Sequence, residues 1–84
     1  MTRRASTFHH IGAGWEKFRL LCVPADAGTV QIIETRRAFY AGADYLLKEL
    51  LRLGALPDAE GEQHLQDMHD ECAEFARCIA KGEA

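Results

Sequence analysis

No stretch of the 84-residue chain approaches the ~18 consecutive apolar residues of a membrane span, so no transmembrane helix is expected. The chain opens with Arg3-Arg4 in the manner of an export signal. The apolar segment that should follow is missing, because His9, His10, Gly12, Glu16 and Lys17 interrupt it. Cysteine is sparse and odd in number. Cys22, Cys72 and Cys78 stand at irregular spacing, which argues against a disulfide framework and for a reducing compartment. A cytoplasmic location is the resulting expectation. Repeats, low-complexity tracts and alternating apolar/polar runs of strand type are also missing, which excludes a solenoid and a sheet-based fold.

Motifs of catalysis and cofactor binding are missing too. There is no Gly-x-Ser-x-Gly, no phosphate loop and no Gly-x-Gly-x-x-Gly. Gly12-Ala13-Gly14 is too short for a dinucleotide fingerprint and follows no strand. No Cys-x-x-Cys occurs. On the third helical segment His64 and His69 point about 140° apart, and Cys72 and Cys78 about 120° apart, so one helix cannot gather them round a metal ion. Cys72 has His69 three residues before it. A free cysteine on an apolar seam, however, reads as a small core residue rather than a nucleophile. The expectation is a non-enzymatic protein with no catalytic residue, no metal and no cofactor.

What the chain does contain is helix. Hydrophobic residues make up 48% and charged residues 27%, the balance of an ordinary globular domain. The punctuation falls at Gly12/Gly14, at Pro24-Ala-Asp-Ala-Gly28, at Gly54-Ala-Leu-Pro57-Asp58 and at Gly82. Three helical segments lie between those marks. The first, about 13–22, aligns Ile11, Trp15, Phe18 and Cys22 on one face and must stop before Pro24. The second, about 27–53, has Asp26 or Thr29 as N-cap and two apolar rows. Its main seam is Ile32, Arg36, Phe39, Ala43, Leu46, Leu50 and Leu53, and beside it run Ile33, Tyr40, Leu47 and Leu51. The third, about 59–81, has Asp58 as N-cap, Gly82 as C-terminal glycine and one seam: Leu65, Met68, Cys72, Phe75 and Ile79. The short connection at 54–57 predicts an antiparallel helical hairpin. The sequence thus predicts a single all-α domain over 1–84, with residues 1–10 as a flexible tail. Helix three covers one row of helix two, so helix one or a second subunit must cover the other. A homo-oligomer is expected, the more so because a chain this short buries only ~60–65% of its unfolded surface.

Charge is unevenly placed. Residues 1–53 carry eight basic and five acidic side chains (net +3), whereas residues 54–84 carry two basic and eight acidic (net −6). With a pI of about 5.7 and scattered arginines, no basic stripe suits nucleic acid, and none is expected as a direct partner. The acidic third helix reads either as a solvated face or as a partner surface built from Asp67, Asp70, Glu71 and Glu74. In the latter role it would occupy a basic surface on another protein. On the second helix Arg36 holds a seam position where Leu or Ile is the norm. If buried, its guanidinium needs a partner such as the carboxyl-terminal end of helix three. Alternatively Arg36, Arg37 and Tyr40 line a groove for an anion, a phosphorylated nucleotide signal for example. Ala38, Ala41, Gly42 and Ala43 make a small-residue patch, expected to admit close approach of Trp15 or of a symmetry-related helix.

Three segments, Trp15-x-x-Phe18-Arg19, Pro24-x-Asp26-Ala27 and Gln31-x-x-Glu34-x-Arg36-Arg37-Ala38-Phe39-Tyr40-Ala41-Gly42-Ala43, together resemble a pattern of small phage and prophage proteins of unassigned function. The resemblance covers roughly residues 15–47. It implies a phage-encoded accessory protein in the bacterial cytoplasm, and the leading expectation is that it binds, and inhibits or modulates, a host protein through the acidic helix or the Arg/Tyr face. By analogy, small acidic helical phage proteins are similar to inhibitors of host defence such as anti-CRISPR proteins. A ligand-sequestering protein and a structural phage component are the rival expectations.

Overall fold

Proline and glycine set the ends of each helix, and the apolar spacing between them sets the rest. In the computed structural model, which describes residues 9–84, three helices account for 80% of the residues: α1 (His10–Cys22), α2 (Thr29–Leu53) and α3 (Asp58–Ala80). Among the described residues there is no strand, and the fold is all-α.

Helix α1 begins at His10, three residues earlier than the sequence marks. The amide of Ala13 donates to the carbonyl of His9 at 2.8 Å, which takes Gly12 and Gly14 into the helix. Residues 1–8 of the expected tail lie outside the described residues. At the other end the Val23 amide donates to Arg19 O at 3.1 Å, and Val23 turns extended (φ −100°, ψ 125°) ahead of Pro24. That is the geometry proline demands of its predecessor.

The first amide bond of α2 runs from Ile32 to the carbonyl of Gly28 at 3.0 Å, so Gly28 stands at the cap position expected for Asp26 or Thr29. Helix α2 thus starts at Thr29, two residues later than expected, and α3 starts one residue early. Pro57 caps it without a side-chain bond, its carbonyl accepting from Gly61 at 2.9 Å, and Asp58 is the first helical residue. There, with Glu60, Asp58 sets negative charge against the positive end of the helix dipole. The predicted C-terminal glycine is in place. Gly82 has φ +75°, its amide bonds Ile79 O at 3.0 Å, and the Glu83 amide bonds Cys78 O at 2.9 Å, which together form a Schellman motif.

The chain divides within α2 into two units, the first ending at Leu47 and the second running Lys48–Ala84. The first is organised on an aromatic cluster. Trp15, 4% exposed, lies 6.0 Å from Phe18 and 5.8 Å from Phe39 between ring centroids, and Phe18 lies 5.4 Å from Phe39. Phe39 belongs to the principal seam of α2, so it is α1 that covers the seam at this point, where α3 was expected. Of the predicted α1 face only Trp15 and Phe18 turn inward, while Ile11 and Cys22 remain exposed.

In the second unit the chain turns through Gly54–Pro57, with amide bonds from Gly54 to Leu50 O, Ala55 to Arg52 O and Leu56 to Leu53 O. It reverses tightly enough that a Cβ on Gly61 would stand 3.7 Å from the Leu53 carbonyl oxygen. Leu53, 7% exposed, is the centre of this unit. The end of α2 and the start of α3 therefore run antiparallel.

Candidate functional site

Position along α3 decides what each of its side chains meets. Leu65, Met68, Cys72, Phe75 and Ile79 recur at helical spacing, yet α3 contains no buried residue. Leu65 is 49%, Phe75 60% and Ile79 58% exposed. Cys72, expected to be a buried seam residue, is exposed as well. Of the half-buried positions, Gly61 and Met68 share a side, Cys78 points about 80° from Met68 and Ala73 about 140° from both Met68 and Cys78, so only part of the seam is shielded.

The four carboxylates singled out on α3 lie on a different side, centred about 130° round the helix from the seam. All four are exposed, and three are held by neighbours on the same helix. Gln63 Nε2 donates to Asp67 Oδ1 at 2.9 Å, and Gln66 Nε2 to Asp70 Oδ1 at 2.9 Å. Arg77 donates through Nε (3.0 Å) and Nη2 (2.7 Å) to Glu74 Oε2. His69 Nδ1 lies 3.3 Å from Asp70. The Gln66 bond, followed by the His69 contact, holds the Asp70 carboxyl below the usual aspartate range. In the same way the Arg52 hydrogen bond, 2.8 Å long, lowers Glu49 at the end of α2. Such local bonds limit the rotamers these carboxylates sample.

The arginine face of α2 is built differently from its expected form. Arg36 is exposed, so it is not a buried guanidinium in need of a counter-charge. Its Cζ lies over the Tyr40 ring, 5.4 Å from the centroid, one helical turn on. Tyr40 meets Phe39 edge-on at 6.0 Å. Ile33, Arg36, Arg37 and Tyr40 line an open hollow of about 470 Å³ on the first unit. The three residues proposed from sequence as an anion groove therefore do share one concavity, with Ile33 as its apolar wall.

The close approach expected at Gly42 occurs elsewhere. A Cβ on Gly42 would meet nothing within 4 Å, whereas one on Gly12 would lie 3.3 Å from Tyr40 Oη and one on Gly14 3.5 Å from Phe39 Cζ. The glycines that let two helices meet are on α1. Their i, i+2 spacing beside Trp15 was the available signal; both had read as the boundary of the helix rather than its contact face.

Among the described residues no three His, Cys, Asp or Glu side chains come together in metal-binding geometry, and no helix is long and apolar enough to cross a membrane. The fold and its surfaces thus define a small all-α chain with two charged helical faces and an uncovered apolar seam. Comparison with protein families, curated proteins and solved structures finds no match to the chain.

Proposed function

We propose that this chain is a non-enzymatic binding protein, a phage or prophage accessory factor that inhibits or modulates a host protein through the acidic side of α3. One observation carries the reading: a 23-residue helix with no buried residue presents seven carboxylates against a single arginine. A helix that contributes so little to its own chain's core is a surface for something else. Its partner is a basic surface, such as a groove that otherwise binds nucleic acid, and Asp67, Asp70, Glu71 and Glu74 are its contact residues. The phage and host assignments rest on the sequence pattern over residues 15–47.

Affinity purification from a bacterial host, with mass spectrometry, tests this. Wild type is expected to retain a basic protein, with binding that weakens steeply as salt rises. The fourfold replacement of Asp67, Asp70, Glu71 and Glu74 by Lys is expected to lose it. Capture unchanged by the charge reversal would end the reading. A second reading is favoured by the hollow between Arg36, Arg37 and Tyr40, which suits a phosphorylated small molecule held by planar guanidinium groups. On that reading Arg37→Lys keeps the charge, loses the fork and weakens nucleotide binding measured by calorimetry.

A further inference from the structure

The apolar seam of α3 and the hollow on α2 are complementary in spacing and charge. On α3 the seam repeats at Leu65, Cys72 and Ile79, seven residues apart, with Met68 and Phe75 between them. On α2 the row Ile33, Tyr40 and Leu47 repeats at the same interval. Two helices with matching seven-residue repeats can pack knobs into holes along their common length, here about 21 Å on each. Both strips are largely uncovered: Ile33 is 45% and Leu47 53% exposed, much as Leu65, Phe75 and Ile79 are, while Tyr40 and Met68 are half-buried. The row is flanked by Arg36 and Arg37. Beside the seam, Glu71 is the near edge of the acidic side, with Asp67 and Glu74 one turn to either side of it.

We infer that the occupant of this hollow is a second copy of the chain. Phe75 of each copy enters the concavity lined by Ile33, Arg36, Arg37 and Tyr40 of the other, and Glu71 meets the two arginines at its rim. Every copy carries one hollow and one seam, so two copies can exchange the contact, each seam filling the other's hollow. Arg36 already lies over Tyr40, and a second aromatic ring arriving beside them adds an apolar and cation–π contact at the centre of the interface. Asp67, Asp70 and Glu74 point away from the seam and stay accessible, so in the dimer these three face a host partner and Glu71 is given over to the contact between copies.

A charge-swap pair tests the inference on purified protein, with no host component present, so its failure is separate from failure of the host-binding reading. One variant carries Arg36→Glu and Arg37→Glu; the other carries Glu71→Arg and Phe75→Arg. All four side chains are exposed or, for Phe75, 60% exposed, so the helices of each chain survive, as circular dichroism should verify. Analytical ultracentrifugation is expected to show a wild-type dimer. Each variant alone places like charges together and weakens association by about tenfold or more. An equimolar mixture pairs the new glutamates with the new arginines, keeps the natural pairing at the other half, and associates about tenfold or more tightly than either variant alone, short of wild type by the one missing Phe75 contact. Wild type that sediments as a monomer at about 100 µM overturns the inference whatever the variants do. So does a mixture no stronger than its components, or a monomer that binds inorganic phosphate through Arg36 and Arg37.

Discussion

Trp15 is the residue on which the first unit depends. Its indole is nearly sealed and touches both Phe18 and Phe39, so Trp15→Ala removes the common member of the cluster. Loss of a buried tryptophan costs about 3–5 kcal/mol, and α1 has no other buried side chain to hold it. Urea unfolding followed by circular dichroism is expected to show reduced helix content even before denaturant is added. The glycines separate at the same scale. Gly42 sits in mid-helix with open space at its Cβ, so Gly42→Ala is expected to stabilise by roughly 0.5–1 kcal/mol in thermal unfolding. Gly12→Ala gains the same propensity but crowds Tyr40 Oη, and the two effects nearly cancel. Adding Tyr40→Phe removes the crowding atom, so the double variant should be more stable than Gly12→Ala alone.

At the level of the helix, the ends are governed by backbone geometry and the faces by neighbours three or four residues away. Gly82 holds a left-handed conformation that closes two bonds onto Cys78 and Ile79. Gly82→Ala is expected to cost about 1–2 kcal/mol and to fray the last turn of α3, visible as faster amide exchange at Gly82 and Glu83. Along the acidic face, the Gln66 bond lowers the Asp70 pKa in the folded state. A group whose folded pKa lies below its unfolded value favours folding above the unfolded pKa and loses that contribution as pH falls through the folded one. The contribution of the Asp70 carboxylate is therefore lost on acidification. In an NMR titration, Gln66→Ala is expected to move the Asp70 midpoint upward, toward the ordinary aspartate value.

For the molecule as a whole the scarcity of core is decisive. Trp15 and Leu53 are the buried hydrophobic residues among the described ones, while large apolar side chains along α2 and α3 face outward, Leu51 at 71% among them. In the proposed dimer a chain with so little sealed from water gains much of its stability from association. Its melting temperature should accordingly rise by several degrees over a roughly hundredfold range of protein concentration. A melting temperature independent of concentration would place all of the stability within one chain.

The helices themselves were legible in the sequence. Steps of three and four between apolar residues mark one face of a helix wherever they occur, Pro24 forbids helical geometry before it, and Gly82 is the residue that tolerates a left-handed turn. These are local rules, and α1, α2 and α3 follow them to within three residues at each end. Periodicity says that a face is apolar without saying what lies against it. The seam of α3 kept its spacing and remained exposed. Arg36, which spacing alone placed on a packing seam, lies instead in the open above Tyr40. Gly42 met nothing, and Gly12 and Gly14 took the close contact. Each of these outcomes depends on which residues, distant along the chain, are brought together in space. That is settled by the competition of whole surfaces for burial, and only the tertiary structure records it.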